Sequence, residues 1–511
     1  MMADIQESKA SLDLSELPAT GTKTRDFLKQ KHRLFINGEW VDGSGKEVIR
    51  STDPATGETL AEVAVGNEKD IDDAVSAARA AFNGPWRRLT HFERARFLSR
   101  LARLVEESAD LFTEIEVLDS GMPIWIAQLT IANIVEMLDY YAGVAQQIEG
   151  TTTSPPRHIS DSGEALTYTL REPVGVAGLI VPWNVPVSTT VLKLAPALSA
   201  GCTVVIKPSE ETPLSAVLLG SLIEAAGFPP GVVNIVNGYG HSAGAALSLH
   251  PDVDKLSFTG STATGRKIIN AATGNLKKLS LELGGKSPVV VMPDAEMERA
   301  VPGVAMATFF LQGQNCMAGT RVFVHQSIAD KFIPALKAFA ESLVIGHGMN
   351  PSTQIGPLIS DGHCEKVLAY IASGIDQGAH LLTGGERAYG HGNFVCPTIF
   401  TECRPDMSIV REEIFGPVMA IQTFDTMDLD EIASLANDTE YGLSGSVWTR
   451  DLQTAHALTS RIRAGHVSVN CHGAVGTNIP FGGYGQSGWG REFGREGLDA
   501  YLETKAVTVQ L

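Results

Sequence analysis

From Val174 onward the chain keeps one rhythm. Short runs rich in β-branched residues, VGVAGLIVP (174–182), TVVIKP (203–208), VVNIV (232–236) and DKLSFTG (254–260), are bounded by glycine or proline. Helical stretches such as PLSAVLLGSLIEAAG (213–227) lie between them. Strands alternating with helices at this spacing imply a parallel sheet, because parallel neighbours need a crossover and the crossover helices cover the faces. The alternation resumes at PVVVM (288–292), with a helix expected near 296–311, the strand TRVFVH (320–325) and a helix near 328–344. The fold class is therefore α/β, in two units that meet near Gly284 and Gly285.

The segment before this rhythm carries its own signals. Residues 1 to about 25 read as a loose tail. In LFINGEWVDGSGKEV, from Leu34, Asn37-Gly38 and Asp42-Gly43 sit between apolar runs and suggest a hairpin. A helix is expected from about Asn67, with Ile71, Ala74, Val75, Ala78 and Phe82 on one stripe. Another opens with the capping box Thr90–Glu93 and buries Phe97, Leu98, Leu101, Leu104 and Val105.

Composition narrows the classes of function. The 511 residues are 44% hydrophobic and 19% charged, which suits a soluble chain of more than one domain. A net charge of −18 argues against nucleic acid or an anionic membrane as the main partner. The six cysteines form no CxxC pair, so no metal site or disulfide framework is expected. No run approaches the roughly 18 apolar residues of a membrane span. The N-terminal stretch lacks the apolar core of a signal peptide and is too acidic for a mitochondrial transit peptide, so a cytoplasmic location is the expectation.

FFLQGQNCMAGTR (309–321) places one cysteine, Cys316, among amides, small residues and glycines. A lone thiol there is either a small buried hydrophobe or a nucleophile that a substrate must reach. The Gly260–Gly265 turn follows a strand and opens a helix, where backbone N–H groups suit a phosphate, but it is neither GxGxxG nor a P-loop. Lys207 and Glu210 emerge just past a strand's carboxyl end, either as a solvated pair or as ligands for ribose hydroxyls.

Seven motifs stand in one order: VPWNVP (181–186), KPSEETP (207–213), FTGSTATG (258–265), LELGGKSP (281–288), GQNCMAGTR (313–321), EEIFGPV (412–418) and PFGGYGQSGWGRE (480–492). Together they closely resemble the NAD(P)-dependent aldehyde dehydrogenase superfamily, from about Leu34 to the C-terminus. The texture is similar to its bacterial branch acting on aromatic and other apolar aldehydes, phenylacetaldehyde dehydrogenases included. The resemblance implies a Rossmann-type cofactor domain (26–149 and 171–283), a catalytic domain (284–483) and a β bridging element for dimers or tetramers (150–170 and 484–511). It makes Cys316 the nucleophile, Asn184 an oxyanion donor, Glu282 the general base, and Lys193 with Glu492 a proton relay. NAD would be held by Ile180, Trp183, Lys207, Glu210, Gly240, Ser261, Glu413 and Phe415. Glu210 facing the ribose 2′ position would favour NAD over NADP.

The implied substrate pocket comprises Val185, Thr189, Leu192, Phe310, Asn315, Met317, Val475 and Phe481. Val185, Leu192 and Val475 stand where relatives often carry larger aromatic residues, which opens space for a bulky apolar aldehyde. Met122 stands where lysine is usual and is expected at the surface. Glu282 argues against a coenzyme A-acylating relative, and the presence of Cys316 against a purely structural one. No basic residue near the pocket is available to anchor a semialdehyde carboxylate.

Overall fold

The computed structural model describes residues 20–160 and 164–511, so most of the expected N-terminal tail, residues 1–19, lies outside them. The rest of that tail is not loose. Thr22–Leu28 is a helix with Thr24 and Phe27 buried, and Gly21 N–H donates to Glu114 at 2.8 Å. The aromatic anchor Phe27, tilted against His32 at 4.6 Å, holds the segment down.

The first sheet runs Gly488–Trp489, Lys278–Glu282, Lys255–Thr259, Val176–Ile180, Thr203–Lys207, Val233–Ile235, Leu34–Ile36, Glu39–Val41. Its five central strands are parallel and its outer pairings antiparallel. Every residue of Val176–Ile180 and Thr203–Lys207 is buried, as expected of strands covered on both faces. Asn37 and Gly38 both adopt left-handed φ, 54° and 78°, closing the Leu34–Val41 hairpin on a two-residue turn. The Thr90–Glu93 capping box forms, and a second one at Asn67–Asp70 starts the helix Glu68–Asn83.

The second sheet has seven strands, from His380–Thr383 at one edge to His466–Val469 at the other, parallel except for the first pair. A third, antiparallel sheet joins Leu502–Gln510, Ala165–Pro173 and Thr152–Thr153. The segment expected as a bridging element from 484 onward is divided. Gly488–Trp489 pairs with Leu281 and Glu282 as an edge strand of the first sheet, and only Leu502–Gln510 joins the third. A glycine-rich strand of two residues carries no period-2 pattern to announce it.

Register aligns the carboxyl ends of the first sheet. Ile180 lies opposite both Lys207 and Phe258, and Thr259 opposite Glu282. The crevice beyond such ends is where open α/β sheets bind ligands.

The helix Pro186–Ala200, which starts in that crevice, is positioned by a buried carboxylate. Glu116 Oε1 accepts from Val187 N–H at 3.3 Å in the helix's first turn. One turn along, Asp119 accepts from Leu214 N–H at 3.0 Å, at the start of Leu214–Ala225, and from Ser51 Oγ. Negative groups belong at helix N-termini, but these two lie in the core. Met122 is also fully buried, against the surface expectation. It fills an apolar cluster with Val117, Ile126, Leu311 and Met349, where a buried lysine would go uncompensated.

Burial pushes Glu116 up to about 8 and Asp119 up to about 7. Above the ordinary carboxylate value of 4.5 and up to about 8, the folded chain therefore holds a proton on Glu116 that the unfolded chain releases. That part of the stability falls as pH rises through this window. Glu116→Gln keeps an acceptor for Val187 and removes the titration. Its Tm, relative to wild type, should rise between about pH 6 and pH 8.5 in paired thermal melts. A difference that stays flat with pH would mean Glu116 is ionised in the folded protein.

Candidate active site

The helix Met297–Phe309 ends in a tight turn, Phe310–Gly313. Leu311, Gln312 and Gly313 all take left-handed φ (56°, 58° and 71°), which reverses the chain. Two non-glycine residues there store strain that the surroundings must hold. Gln312 Nε2 donates to Pro357 O at 3.2 Å, and Gln314 Oε1 accepts from Ile359 N–H at 2.9 Å. A β-carbon at Gly313 would collide with the Gly416 carbonyl. Cys316 follows, partly exposed, on a turn closed by Ala318 N–H donating to Asn315 O at 2.9 Å and Met317 N–H donating to Asn315 Oδ1 at 3.1 Å.

Asn184 reaches this turn from the loop after Val176–Ile180. Its Nδ2 donates to Gln314 O at 2.9 Å, leaving the second amide hydrogen for a ligand. Glu282, the last residue of Lys278–Glu282, is buried, and neither carboxylate oxygen has a hydrogen-bond partner. Burial, then the charge of Glu492, pushes its carboxyl well above the usual range, while Lys193 and Arg491 pull the other way. Lys193 is ion-paired with Glu492 in the core, and Ser257 Oγ completes the cluster at 3.0 Å from Lys193 Nζ and 3.2 Å from Glu492 Oε1.

A second group lines the crevice. Lys207 Nζ donates to Glu210 Oε2 at 2.8 Å, and Glu210 Oε1 accepts from Gly240 N–H at 3.1 Å. Ser261 caps the helix Thr262–Ala272, accepting from Thr264 N–H. Buried Ile180 ends the strand beside Lys207. Trp183 meets Phe415 edge-on at 5.3 Å, and Phe415, at φ 62°, has its carbonyl held by His363 Nε2 at 2.7 Å. Glu413 Oε1 accepts from Gly285 N–H at 3.0 Å.

The expected pocket residues divide. Val185 and Phe310 pack in the same apolar cluster as Leu311, and Trp125 meets Phe310 edge-on at 5.8 Å. Val185, Thr189 and Leu192 share a helix face by spacing, but Leu192 packs into the core of the first domain. Met317 approaches the loop after His466–Val469, where Val475 is half-buried. The ring partner of Phe481 is Phe493, and its backbone bridges Glu492. Trp125, His363 and His472 belong to the site and carry no sequence signal of their own, since each sits outside the seven motifs. Lys286, within LELGGKSP, is buried with its Nζ unpartnered and is held down to about 7 by burial and Arg321.

Among the described residues, no group of three His, Cys, Asp or Glu is placed to hold a metal ion. What the centre offers is a thiol, an amide donor, an unpartnered carboxyl and a buried ion pair leading away from it.

Residues 40–507 match the model of the "Aldehyde dehydrogenase family". The chain is 45% identical to the mitochondrial aldehyde dehydrogenase of Homo sapiens, over 97% of this chain and 94% of that one. It is 44% identical to the putative aldehyde dehydrogenase DhaS of Bacillus subtilis, over 98% and 100%. The NAD+ complex of aldehyde dehydrogenase from Bacillus cereus superposes with a TM-score of 0.93 at 43% identity, over 98% of this chain and 100% of that one.

The Cys316 thiol is pushed up to about 12, first by burial and then by the Glu413 and Glu282 carboxyls. The thiolate is the reactive form, so alkylation of Cys316 by iodoacetamide in the ligand-free protein should rise about tenfold per pH unit between pH 7 and 10. Peptide mass analysis separates it from the exposed Cys471. A rate that levels off below about pH 8 would show that another group activates the thiol at rest.

Proposed function

This chain belongs to the aldehyde dehydrogenase family, and within it we propose that the protein oxidises an apolar aldehyde, aromatic or terpenoid, to its carboxylic acid with NAD. The observation that carries the reading is the Asn184–Gln314 hydrogen bond, which sets an amide donor beside the Cys316 turn.

The crevice residues fit a nicotinamide dinucleotide. Glu210 and Lys207 offer an acceptor and a donor to ribose hydroxyls, and a β-carbon at Gly240 would meet only Glu210 Oε1, at 3.8 Å, which leaves the backbone open to a close approach. Trp183, Phe415 and Glu413 form the wall toward Cys316, and Gly260 with Ser261 opens a helix N-terminus. NAD, when bound, supplies the acceptor for the hydride leaving the aldehyde carbon. Glu210 facing the 2′ hydroxyl favours NAD over NADP, because a 2′ phosphate would meet a carboxylate.

The chain's own groups do the rest. Cys316 gives up its thiol proton to solvent, its Sγ bonds to the carbonyl carbon, and the oxygen gains the electron pair of the broken π bond. Asn184 Nδ2 and the Cys316 N–H are the donors for that oxyanion. Loss of hydride from the thiohemiacetal leaves a thioester on Cys316. Glu282, once deprotonated, takes a proton from water, whose oxygen attacks the acyl carbon and displaces the thiolate. Lys193 and Glu492 carry the proton away from Glu282 through the buried cluster. The balance is aldehyde, NAD+ and water to carboxylic acid, NADH and a proton.

Val185, Phe310 and Trp125 support the apolar substrate, since they offer contact area and no charge for a second carboxylate. The third sheet supports self-association as a dimer or tetramer. Leu166, Leu170 and Val509 are exposed on it, and Leu502–Gln510 is an edge strand. The acidic, cysteine-poor composition supports a cytoplasmic location.

NADH formation should be measured with acetaldehyde, hexanal, phenylacetaldehyde and succinic semialdehyde, with NAD or NADP, and with and without coenzyme A. Phenylacetaldehyde should exceed acetaldehyde in kcat/KM by about tenfold or more, because each buried methylene is worth roughly 0.8 kcal/mol. NAD should be preferred, and coenzyme A should have no effect. A best rate with acetaldehyde or the semialdehyde would overturn the substrate reading and leave the catalytic one standing.

A further inference from the structure

The loop after His466–Val469 touches the Cys316 turn at one polar point. His472 Nε2 lies 2.7 Å from Met317 O, and its Nδ1 lies 2.9 Å from Ser446 Oγ, on the strand Ser444–Trp448. A carbonyl oxygen only accepts, so Nε2 carries the proton and Nδ1 accepts from the Ser446 hydroxyl. The geometry thus selects one tautomer of a neutral imidazole, and burial agrees, holding His472 down to about 4. The ring also backs the turn sterically. A β-carbon at Gly319 would come within 3.1 Å of His472 Cε1, and one at Gly473 within 3.7 Å of Met317 Cε.

The other ties on the turn lie on its amides, before the thiol, or at Ala318, whose carbonyl accepts from Thr320 N–H at 2.9 Å. Asn184 holds Gln314 O, and Asn315 takes the N–H groups of Met317 and Ala318. Among the described residues, only His472 holds the carbonyl of the residue that follows Cys316. We propose that His472 is a positioning residue for acylation of Cys316: through Met317 O it fixes the peptide after the thiol and so aims Sγ and the Cys316 N–H at the aldehyde carbonyl. The inference deepens the proposed function and rests on Cys316 being the nucleophile.

The test is the rate of first-turnover NADH formation by rapid mixing, with NAD affinity measured in parallel. His472→Phe keeps a ring and loses both hydrogen bonds. It should acylate about tenfold more slowly, with NAD affinity within about twofold of wild type. His472→Gln can donate to Met317 O and accept from Ser446, and should recover to within about threefold of wild type. Ser446→Ala, which frees the tautomer, should slow acylation a few-fold. Cys316→Ala, run in the same series, should form no NADH, and turnover by it would overturn the nucleophile assignment. If Cys316→Ala is inactive while His472→Phe and Ser446→Ala acylate at the wild-type rate, the His472 inference alone is overturned. Should His472→Phe lose NAD binding as well, Ser446→Ala decides: slowed acylation supports the role and an unchanged rate refutes it.

Discussion

The connector between the two sheets has no room for a side chain at Gly284 or Gly285, and the proposed chemistry depends on that. The chain leaves the first sheet at Glu282 and enters the second at Pro288. In between, a β-carbon at Gly284 would collide with the Glu413 carboxyl, and one at Gly285 with the Cys316 carbonyl. Glycine is the one residue that lets three segments meet here: the carboxyl at the end of the first sheet, the thiol turn ahead of the second, and the EEIFGP loop. Because Gly285 N–H also donates to Glu413, the close approach is hydrogen-bonded as well as steric. Any residue larger than glycine would part the thiol from the carboxyl.

Burial of charge is the second organising theme. Glu116, Asp119, Glu282, Lys193, Glu492 and Lys286 all lie in the interior. Lys193 and Glu492 compensate one another, and Glu116 and Asp119 take helix N-termini. Glu282 has neither kind of partner, and an uncompensated buried carboxyl stays protonated and costs stability. Lys286, whose Nζ is also unpartnered, carries the same kind of cost, and uncompensated buried groups of this kind cluster at functional sites.

Much of this was legible in the sequence, for a physical reason. Parallel strands covered on both faces must be apolar throughout, so VGVAGLIVP and TVVIKP announce themselves locally, and the residues that follow each strand fall automatically into one crevice. Caps are local too: Thr90 and Glu93 are three residues apart and satisfy each other. The ordered motifs placed Asn184, Glu282 and Cys316 as candidates, and the structure brings Asn184 to the turn of Cys316. What was not legible was set by distant partners. Phe27 pins a short polar segment that has no pattern of its own, Met122 is buried partly by Leu311 and Met349 from the distant second half of the chain, and Gly488–Trp489 pairs with a strand near 280. Trp125 and His472 enter the site from elements whose local sequence gives no sign of it. Leu192 shares the helix face of Val185 yet packs into the core, because a helix face wider than the pocket must divide between the two.

The segment from Gly488 onward is made after everything it closes upon. Gly488–Trp489 completes the first sheet, Glu492 pairs with a lysine 299 residues earlier, and Leu502–Gln510 zips along Ala165–Pro173. Until these residues emerge, Lys193 is a buried cation without its carboxylate and the Ala165–Pro173 strand has a bare edge. The nascent chain can form its helices and most of its parallel sheet while tethered, but these long-range closures come late. Cys316 is thus made well before Glu492 and before the strands that close the first and third sheets.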